Sequence, residues 1–115
     1  MSEKPAVAQM PDEEVLKLSL QNPASFKTIL DRYEAAFLRR ARMILGEREE
    51  AQDVVVETFT KIYLKGHQFR PQPGASFKSW AYKILTNTAF SYYKKLKREQ
   101  GYRIELSEVA WAGVG

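Results

Sequence analysis

The sequence contains no cysteine and only one histidine, His67. Without thiolates, disulfides, iron–sulfur clusters and cysteine-based zinc sites are excluded, and a lone histidine has no second imidazole with which to share a metal. We therefore expect no metal and no other cofactor. No run approaches the roughly 20 apolar residues that span a bilayer, and no basic patch followed by an apolar stretch opens the chain. These absences predict a cytoplasmic protein that does not insert into the membrane.

Patterns of catalytic residues are missing as well. The sequence has no glycine-rich phosphate loop of the GxGxxG or Walker type, no nucleophile placed beside a base and no paired carboxylates on an apolar face. We therefore expect that the chain is not an enzyme. With 115 residues, of which 44% are hydrophobic and 28% charged, it fits one soluble globular domain.

Charge is distributed unevenly along the chain, although the net charge is only +4. Between Glu47 and Glu57 there are five acidic residues and one basic residue. Between Ser76 and Arg103 there are seven basic residues and one acid. Two oppositely charged surfaces on one small domain indicate two different partners.

The apolar residues recur at helical spacing in four segments, which predicts an all-α fold, a compact bundle of about four helices. The first helix is expected over residues 12–20, and the second begins after Asn22 as N-cap and ends at Gly46. The third is expected over residues 49–65. The fourth follows Ser76 as N-cap and runs to about Lys97.

Two of these predictions depend on side-chain periodicity. Val54, Val55 and Val56 favour a strand locally, but the apolar residues of the third segment fall on one arc of a helical wheel. The fourth helix is predicted to bury a stripe that excludes Tyr82, Phe90 and Tyr93. Its members are Phe77, Trp80, Ala81, Ile84, Leu85, Thr88 and Tyr92.

The outer side of the third helix carries a second stripe, part apolar and part acidic. Its members are Asp53, Val56, Glu57, Thr60 and Leu64. One interpretation is an ordinary solvated acidic face. The other is a docking face for a basic protein, because exposed apolar groups beside charges are typical of interfaces.

The fourth helix presents Lys83, Asn87 and Lys94 on its outer side and has a basic end, Lys94, Lys95, Lys97 and Arg98. Lysines neutralise phosphates, and an asparagine amide can pair with a base edge. The preceding loop contributes Phe69 and Arg70, whose planar groups can hold unstacked bases. A solvated basic surface is the alternative interpretation.

At these residues the chain resembles region two of the extracytoplasmic-function sigma factors, from about Asp12 to Arg98. The segment EEAQDVVVETFTKIYLK resembles the helix that docks on the clamp helices of the largest subunit of RNA polymerase. The run FRPQPGASFKSWAYKILTNTAFSYYKKLKR resembles the segment that melts and reads the −10 promoter element. One departure is Val56, which stands where that family usually has glutamine.

The resemblance implies core RNA polymerase, single-stranded promoter DNA and an anti-sigma factor as partners. It places Asp53 and Glu57 against the clamp, beside Val56 and Thr60. It also implies that the loop from Phe69 to Ser76, with Ile84 and Asn87, forms a pocket for a base flipped out of the non-template strand. Lys83 and the basic end would hold the backbone.

The expected organisation is a flexible tail over residues 1–11, the region-two domain over 12–100 and the start of a linker over 101–115. The second DNA-binding region of such factors is missing, either because it was excised or because the natural protein lacks it. A bundle that binds only proteins is the first alternative. A helix-turn-helix reader of duplex DNA is disfavoured, since the loop before the basic helix is too long and rich in proline.

Overall fold

The computed structural model describes residues 6–100, which form four α-helices and no strand. The helices are α1 (Asp12–Ser19), α2 (Lys27–Leu45), α3 (Glu49–Lys65) and α4 (Phe77–Gln100). Short 3₁₀ turns span Val7–Gln9, Pro23–Phe26 and Gly66–Gln68. The predicted all-α bundle is confirmed. Within residues 6–100, no helix combines the length and apolarity required to span a bilayer, and the predicted linker over 101–115 lies outside the described residues.

The helix boundaries follow from local chemistry. Ser76 caps α4 as predicted, because its Oγ accepts a hydrogen bond from the Ser79 backbone N–H at 3.2 Å. Gly46 ends α2 with a positive φ of 82°, a conformation that side chains disfavour. Asn22 occupies the predicted N-cap position with Pro23 at the first helical position, although the helix that begins there is a 3₁₀ turn. The Asn22 side chain makes no cap bond, and the chain enters α2 through the 3₁₀ turn Pro23–Phe26.

Helices α2, α3 and α4 pack against one another, and α1 contacts α2, α4 and the turn after α3. The largest fully buried side chains in the described core include Phe37, Phe77, Ile29, Ile44, Leu45, Ile62 and Leu85. Phe37 lies at the centre, with its ring 5.1 Å from those of Phe59 and Tyr82. Each such side chain contributes about 1.5–3 kcal/mol through burial, which makes the three-helix contact the main source of stability.

The buried stripe of α4 differs from the predicted one towards its C-terminal end. Tyr93 and Leu96 are buried, whereas Tyr92, predicted to face the core, is only half-buried. The stripe advances in steps of four residues from Phe77 to Tyr93, and each step turns it by about 40° around the helix. The predicted exclusion of Tyr93 from the core is therefore wrong.

The described part of the predicted N-terminal tail makes defined contacts. The Arg32 guanidinium donates hydrogen bonds to the carbonyl oxygens of Val7 and Ala8 and forms an ion pair with Asp12 at 2.7 Å. The Tyr33 hydroxyl donates to the same Asp12 carboxylate. Burial, reinforced by Asp12, raises the pKa of Tyr33. These bonds fasten the start of α1 to α2.

The loop before α4 is closed by a tight turn. The Ala75 N–H bonds to the Gln72 carbonyl at 2.8 Å, and Gly74 between them has a φ of 79°. Proline at the second position and glycine with positive φ at the third are the features of a type II turn. The expectation of an ordered loop here, drawn from the sequence FRPQPGA, agrees with this geometry.

Candidate functional site

The outer face of α3 is exposed and partly apolar. Val56 and Leu64 expose 66% and 64% of their surface, and Asp53 and Thr60 beside them are also exposed. The Thr60 hydroxyl donates to the Val56 carbonyl at 2.9 Å, which leaves its oxygen free to accept. We refer to Asp53, Val56, Thr60 and Leu64 as the α3 outer face. It combines the apolar area and negative charge that suit a basic protein partner.

Glu57 was grouped with these residues, but the structure places it differently. It is half-buried, and its carboxylate pairs with Lys61 at 3.1 Å and accepts the Tyr92 hydroxyl at 3.0 Å. The bond from Lys61, assisted by Tyr92, lowers the pKa of Glu57 although burial opposes this. Two of the acceptor positions of the Glu57 carboxylate are therefore already occupied within the domain.

The same contacts form a polar seam between α3 and α4. Lys61 Nζ also donates to the Thr88 hydroxyl at 3.0 Å, so one ammonium joins both helices. Burial and the bond to Glu57 raise the pKa of Tyr92. The seam, made of Glu57, Lys61, Thr88 and Tyr92, lies between the side chains that face outward on α3 and those that face outward on α4.

The outer face of α4 is polar and basic. Lys83, Asn87 and Lys94 are exposed, and so are the other members of the basic end, Lys95, Lys97 and Arg98. Ile84 is half-buried and packs on the core. The face thus presents cations and one amide, groups that suit a polyanion, and the large exposed apolar side chains of the described residues lie elsewhere.

Phe69 does not present its ring to solvent as expected. It is buried, with only 9% of its surface exposed, and its ring lies 5.0 Å from that of Trp80 and 6.1 Å from that of Phe77. Burying the ring in this cluster removes more apolar surface from water than leaving it beside the basic stripe. Phe69 therefore packs against Trp80 and Phe77 beneath the loop. In this conformation its ring is not exposed for stacking with a base.

Arg70 is exposed, and its guanidinium folds back on the loop. It donates to the carbonyl oxygens of His67 at 2.8 Å and Phe69 at 3.0 Å. Trp80, predicted to point inward, is half-buried and packs against Phe69 and Phe77. Arg70 thus stabilises the loop backbone and keeps part of its planar group at the surface.

An open cavity of about 600 Å³ lies against the loop. Its walls are Glu13, Pro71, Gln72, Pro73, Gly74, Ala75, Ser76 and Ser79. Ile84 and Asn87 do not line this cavity, and the pocket that the loop was expected to share with them stays a prediction. Asn87 lies eight residues beyond Ser79, about 12 Å farther along α4.

Glu13 is the residue that sequence reasoning missed. Its carboxylate accepts a hydrogen bond from the backbone N–H of Phe77 at 3.1 Å, 64 residues away, and so caps the first turn of α4. The only signal in the sequence was the acidic run that opens α1. That run predicted a helix start and gave no indication of a contact with α4.

The comparisons with known proteins agree with this geometry. The family model for Sigma-70 region 2 matches residues 29–99, which include nearly all of α2 and α4 and the whole of α3. No solved structure matches the chain significantly. Domains of this family bind core RNA polymerase and recognise the −10 promoter element during transcription initiation. The chain belongs to the Sigma-70 region 2 family.

Proposed function

We propose that this chain is the region-two domain of a cytoplasmic sigma factor of the extracytoplasmic-function type, and that it melts the −10 element by capturing non-template bases. The observation that carries the proposal is the pair of exposed faces on two adjacent helices. One is apolar and acidic, the other polar and basic. Each suits one of the two partners of the family.

The α3 outer face docks on the clamp helices of the largest polymerase subunit. Val56 and Leu64 supply apolar area that loses water on contact, and Asp53 supplies the charge that orients a basic partner. Glu57 contributes less than its spacing implied, since Lys61 and Tyr92 already occupy its carboxylate. Val56, at the position where glutamine is usual, makes this contact more apolar than in its relatives.

Single-stranded promoter DNA follows the α4 outer face. The loop cavity takes one unstacked base, and Asn87 reads a second base farther along the strand, because it lies outside that cavity. Lys83, Arg70 and the basic end neutralise phosphates and release counterions. Capture of a base supplies about 1–3 kcal/mol, which offsets an unpairing cost of a few kcal/mol without nucleotide hydrolysis.

The test uses core RNA polymerase with the chain bound to it. We expect the complex to select single strands from a pool with a randomised −10 segment and to prefer them over the matching duplex. Strands that differ in one base then measure discrimination. Asn87→Ala is expected to reduce discrimination at one position by about 1–3 kcal/mol, because the amide pairs with a base edge.

Ser91→Ala, which changes another exposed residue of α4, is the control and should leave discrimination intact. Equal loss of affinity for every sequence in Asn87→Ala would contradict base reading. Binding to polymerase with no preference for single strands would instead favour the alternative, a bundle that binds only proteins. An anti-sigma factor that covers either face would inhibit the domain by occlusion, and we expect such an inhibitor as a third partner.

A further inference from the structure

The loop cavity is open to solvent, and its lining is part polar and part apolar. Its volume of about 600 Å³ lies within the roughly 300–1,000 Å³ of ligand pockets. Glu13, Gln72, Ser76 and Ser79 supply polar side-chain atoms, while the two prolines, Gly74 and Ala75 supply apolar surface. A flat base with a polar edge matches this division.

The hydroxyl hydrogens of both serines are already used within the helix cap. Ser79 Oγ donates to the Ser76 carbonyl at 3.0 Å, and Ser76 Oγ donates to Ser79 Oγ at 3.3 Å. A hydroxyl has one hydrogen and two lone pairs. Each oxygen accepts one bond within the cap, from the Ser79 N–H for Ser76 and from Ser76 for Ser79. Each therefore offers the cavity one remaining lone pair and no hydrogen.

Glu13, like the two serines, offers the cavity hydrogen-bond acceptors and no donor. Its Oε2 accepts the Phe77 N–H at 3.1 Å, which fixes the carboxylate at the first turn of α4. An ionised carboxylate accepts about four hydrogen bonds and donates none. The Phe77 N–H occupies one of these sites. Glu13 and the two serines thus present acceptors, whereas the Gln72 amide can donate or accept. A ligand group that donates hydrogen bonds complements the Glu13 side of the cavity.

We propose that Glu13 selects the base captured in the loop cavity and favours one with an exocyclic amino group over one with a carbonyl at the same position. Cytosine against uracil is the sharpest contrast, because the two differ in an amino group or a carbonyl at position 4. Glutamate is a known acceptor for the cytosine amino group. The proposal rests on base capture as the function of the domain and names the residue that gives the capture its specificity.

The experiment measures single-strand binding by the chain on core RNA polymerase, with cytosine or uracil at the captured position. We expect the wild type to prefer cytosine by at least about fivefold, the lower bound for one good base contact. Glu13→Gln keeps a carbonyl that accepts the Phe77 N–H but brings an amide donor. It should therefore reduce the preference to less than about twofold while the thermal midpoint stays close to that of the wild type.

Glu14→Gln is the matched control. It removes the same charge from the next residue, which is exposed and does not line this cavity, so the preference should stay. A second probe needs no variant. A strand with 2-pyrimidinone, which lacks the amino group, should bind the wild type as weakly as uracil, and binding as tight as that of cytosine would refute the proposal.

The outcomes separate this proposal from the one on which it rests. If the complex captures no single strand, base capture itself fails. If strands are captured and Asn87→Ala alters discrimination at its own position, but Glu13→Gln leaves the cytosine preference unchanged, only the role of Glu13 is wrong. In that case Glu13 serves α4 solely as a cap.

Discussion

The outer faces of α3 and α4 lie on neighbouring helices of one bundle, yet the free energy of binding at each face comes from different interactions. Val56 and Leu64 leave most of their surface in water, so the α3 outer face gains from burial against a protein. Lys83, Asn87 and Lys94 are polar, and their gain comes from phosphates and released counterions. We therefore expect binding through α3 to depend weakly on salt and binding through α4 to depend on it strongly.

Beneath the surface the two faces are not independent. Lys61 bonds to Glu57 on α3 and to Thr88 on α4, and Tyr92 of α4 reaches Glu57. Phe77 and Phe37 pack in the core that carries both helices. The two faces thus differ in what they bind but depend on the same interior.

The largest effect is expected where the faces share their support. Phe77 is fully buried and contacts the rings of Tyr33, Phe69 and Trp80. Phe77→Ala should lower the free energy of unfolding by about 3–5 kcal/mol, measured by urea denaturation, and weaken polymerase and DNA binding together. Trp80→Ala should cost less, no more than about 3 kcal/mol, because Trp80 is half-buried. A larger loss in Trp80→Ala would show that the core lies on its side of α4.

The helix boundaries were predictable from the sequence, but contacts between distant segments were not. Residues 49–65 were predicted as a helix and form α3, and Ser76 was predicted as the cap of α4, because both depend on local periodicity and capping. The burial of Phe69 and the bond from Glu13 to Phe77 were not predictable. They join segments whose separation in the chain leaves no periodic signal.

For the candidate site as well, the exposure of residues was predictable and the contacts between helices were not. The exposed residues of both faces follow from helical spacing, so Asp53, Val56, Lys83 and Asn87 lie outward as expected. Glu57 satisfies the same spacing but lies at the edge of the stripe, where its carboxylate pairs with Lys61 and accepts a hydrogen bond from Tyr92. Contacts of this kind depend on how α3 and α4 pack against each other, and a helical wheel describes only one helix at a time.

The next largest effect separates the α3 outer face from DNA binding. Asp53→Lys combined with Val56→Lys places two cations where we expect a basic partner, and it should weaken binding to core polymerase by about 30-fold or more. Affinity for single strands, measured with the isolated chain, should not fall. Glu34→Lys with Ala35→Lys makes the same charge change on exposed residues of α2 and should preserve polymerase binding. Equal losses in both variants would indicate a general charge effect.

A smaller effect tests the basic end of α4. Lys97→Gln with Arg98→Gln should weaken all single strands alike and flatten the slope of log affinity against log salt by about 0.7 for each phosphate that is no longer neutralised. Titrations at several salt concentrations give this slope. Lys27→Gln with Lys65→Gln removes the same charge from α2 and α3 and should leave the slope unchanged. A loss confined to particular sequences would mean that the basic end contacts bases.

The smallest effect concerns the seam between the faces. Tyr92→Phe removes one hydrogen bond to Glu57 and should lower the free energy of unfolding by about 1 kcal/mol or less. Because the pKa of Glu57 is lowered in the folded state, its contribution is present above the ordinary Glu range and is lost as pH falls through the folded pKa. The Glu57 side chain is 42% exposed, so solvent screening keeps this contribution small.

Tyr92→Phe should therefore lose less stability than the wild type as pH falls through and below the ordinary Glu range. Urea denaturation at a series of pH values measures the difference. Identical pH profiles for the two proteins would show that the bond from Tyr92 does not lower the pKa of Glu57. Tyr63→Phe, which removes a hydroxyl from a half-buried tyrosine elsewhere on α3, is the control.

Two of the three acids that open α1 reach in different directions, Asp12 to Arg32 and Tyr33 on α2 and Glu13 to the first turn of α4. Both precede the stretch that matches the family, which begins at residue 29. A minimal fragment cut to residues 29–99 would keep every residue of that match and lose both attachments. Its α4 would begin with an uncapped Phe77 N–H and a loop cavity without its carboxylate wall. A fragment that keeps both attachments therefore begins no later than Asp12, 17 residues before the start of the family match.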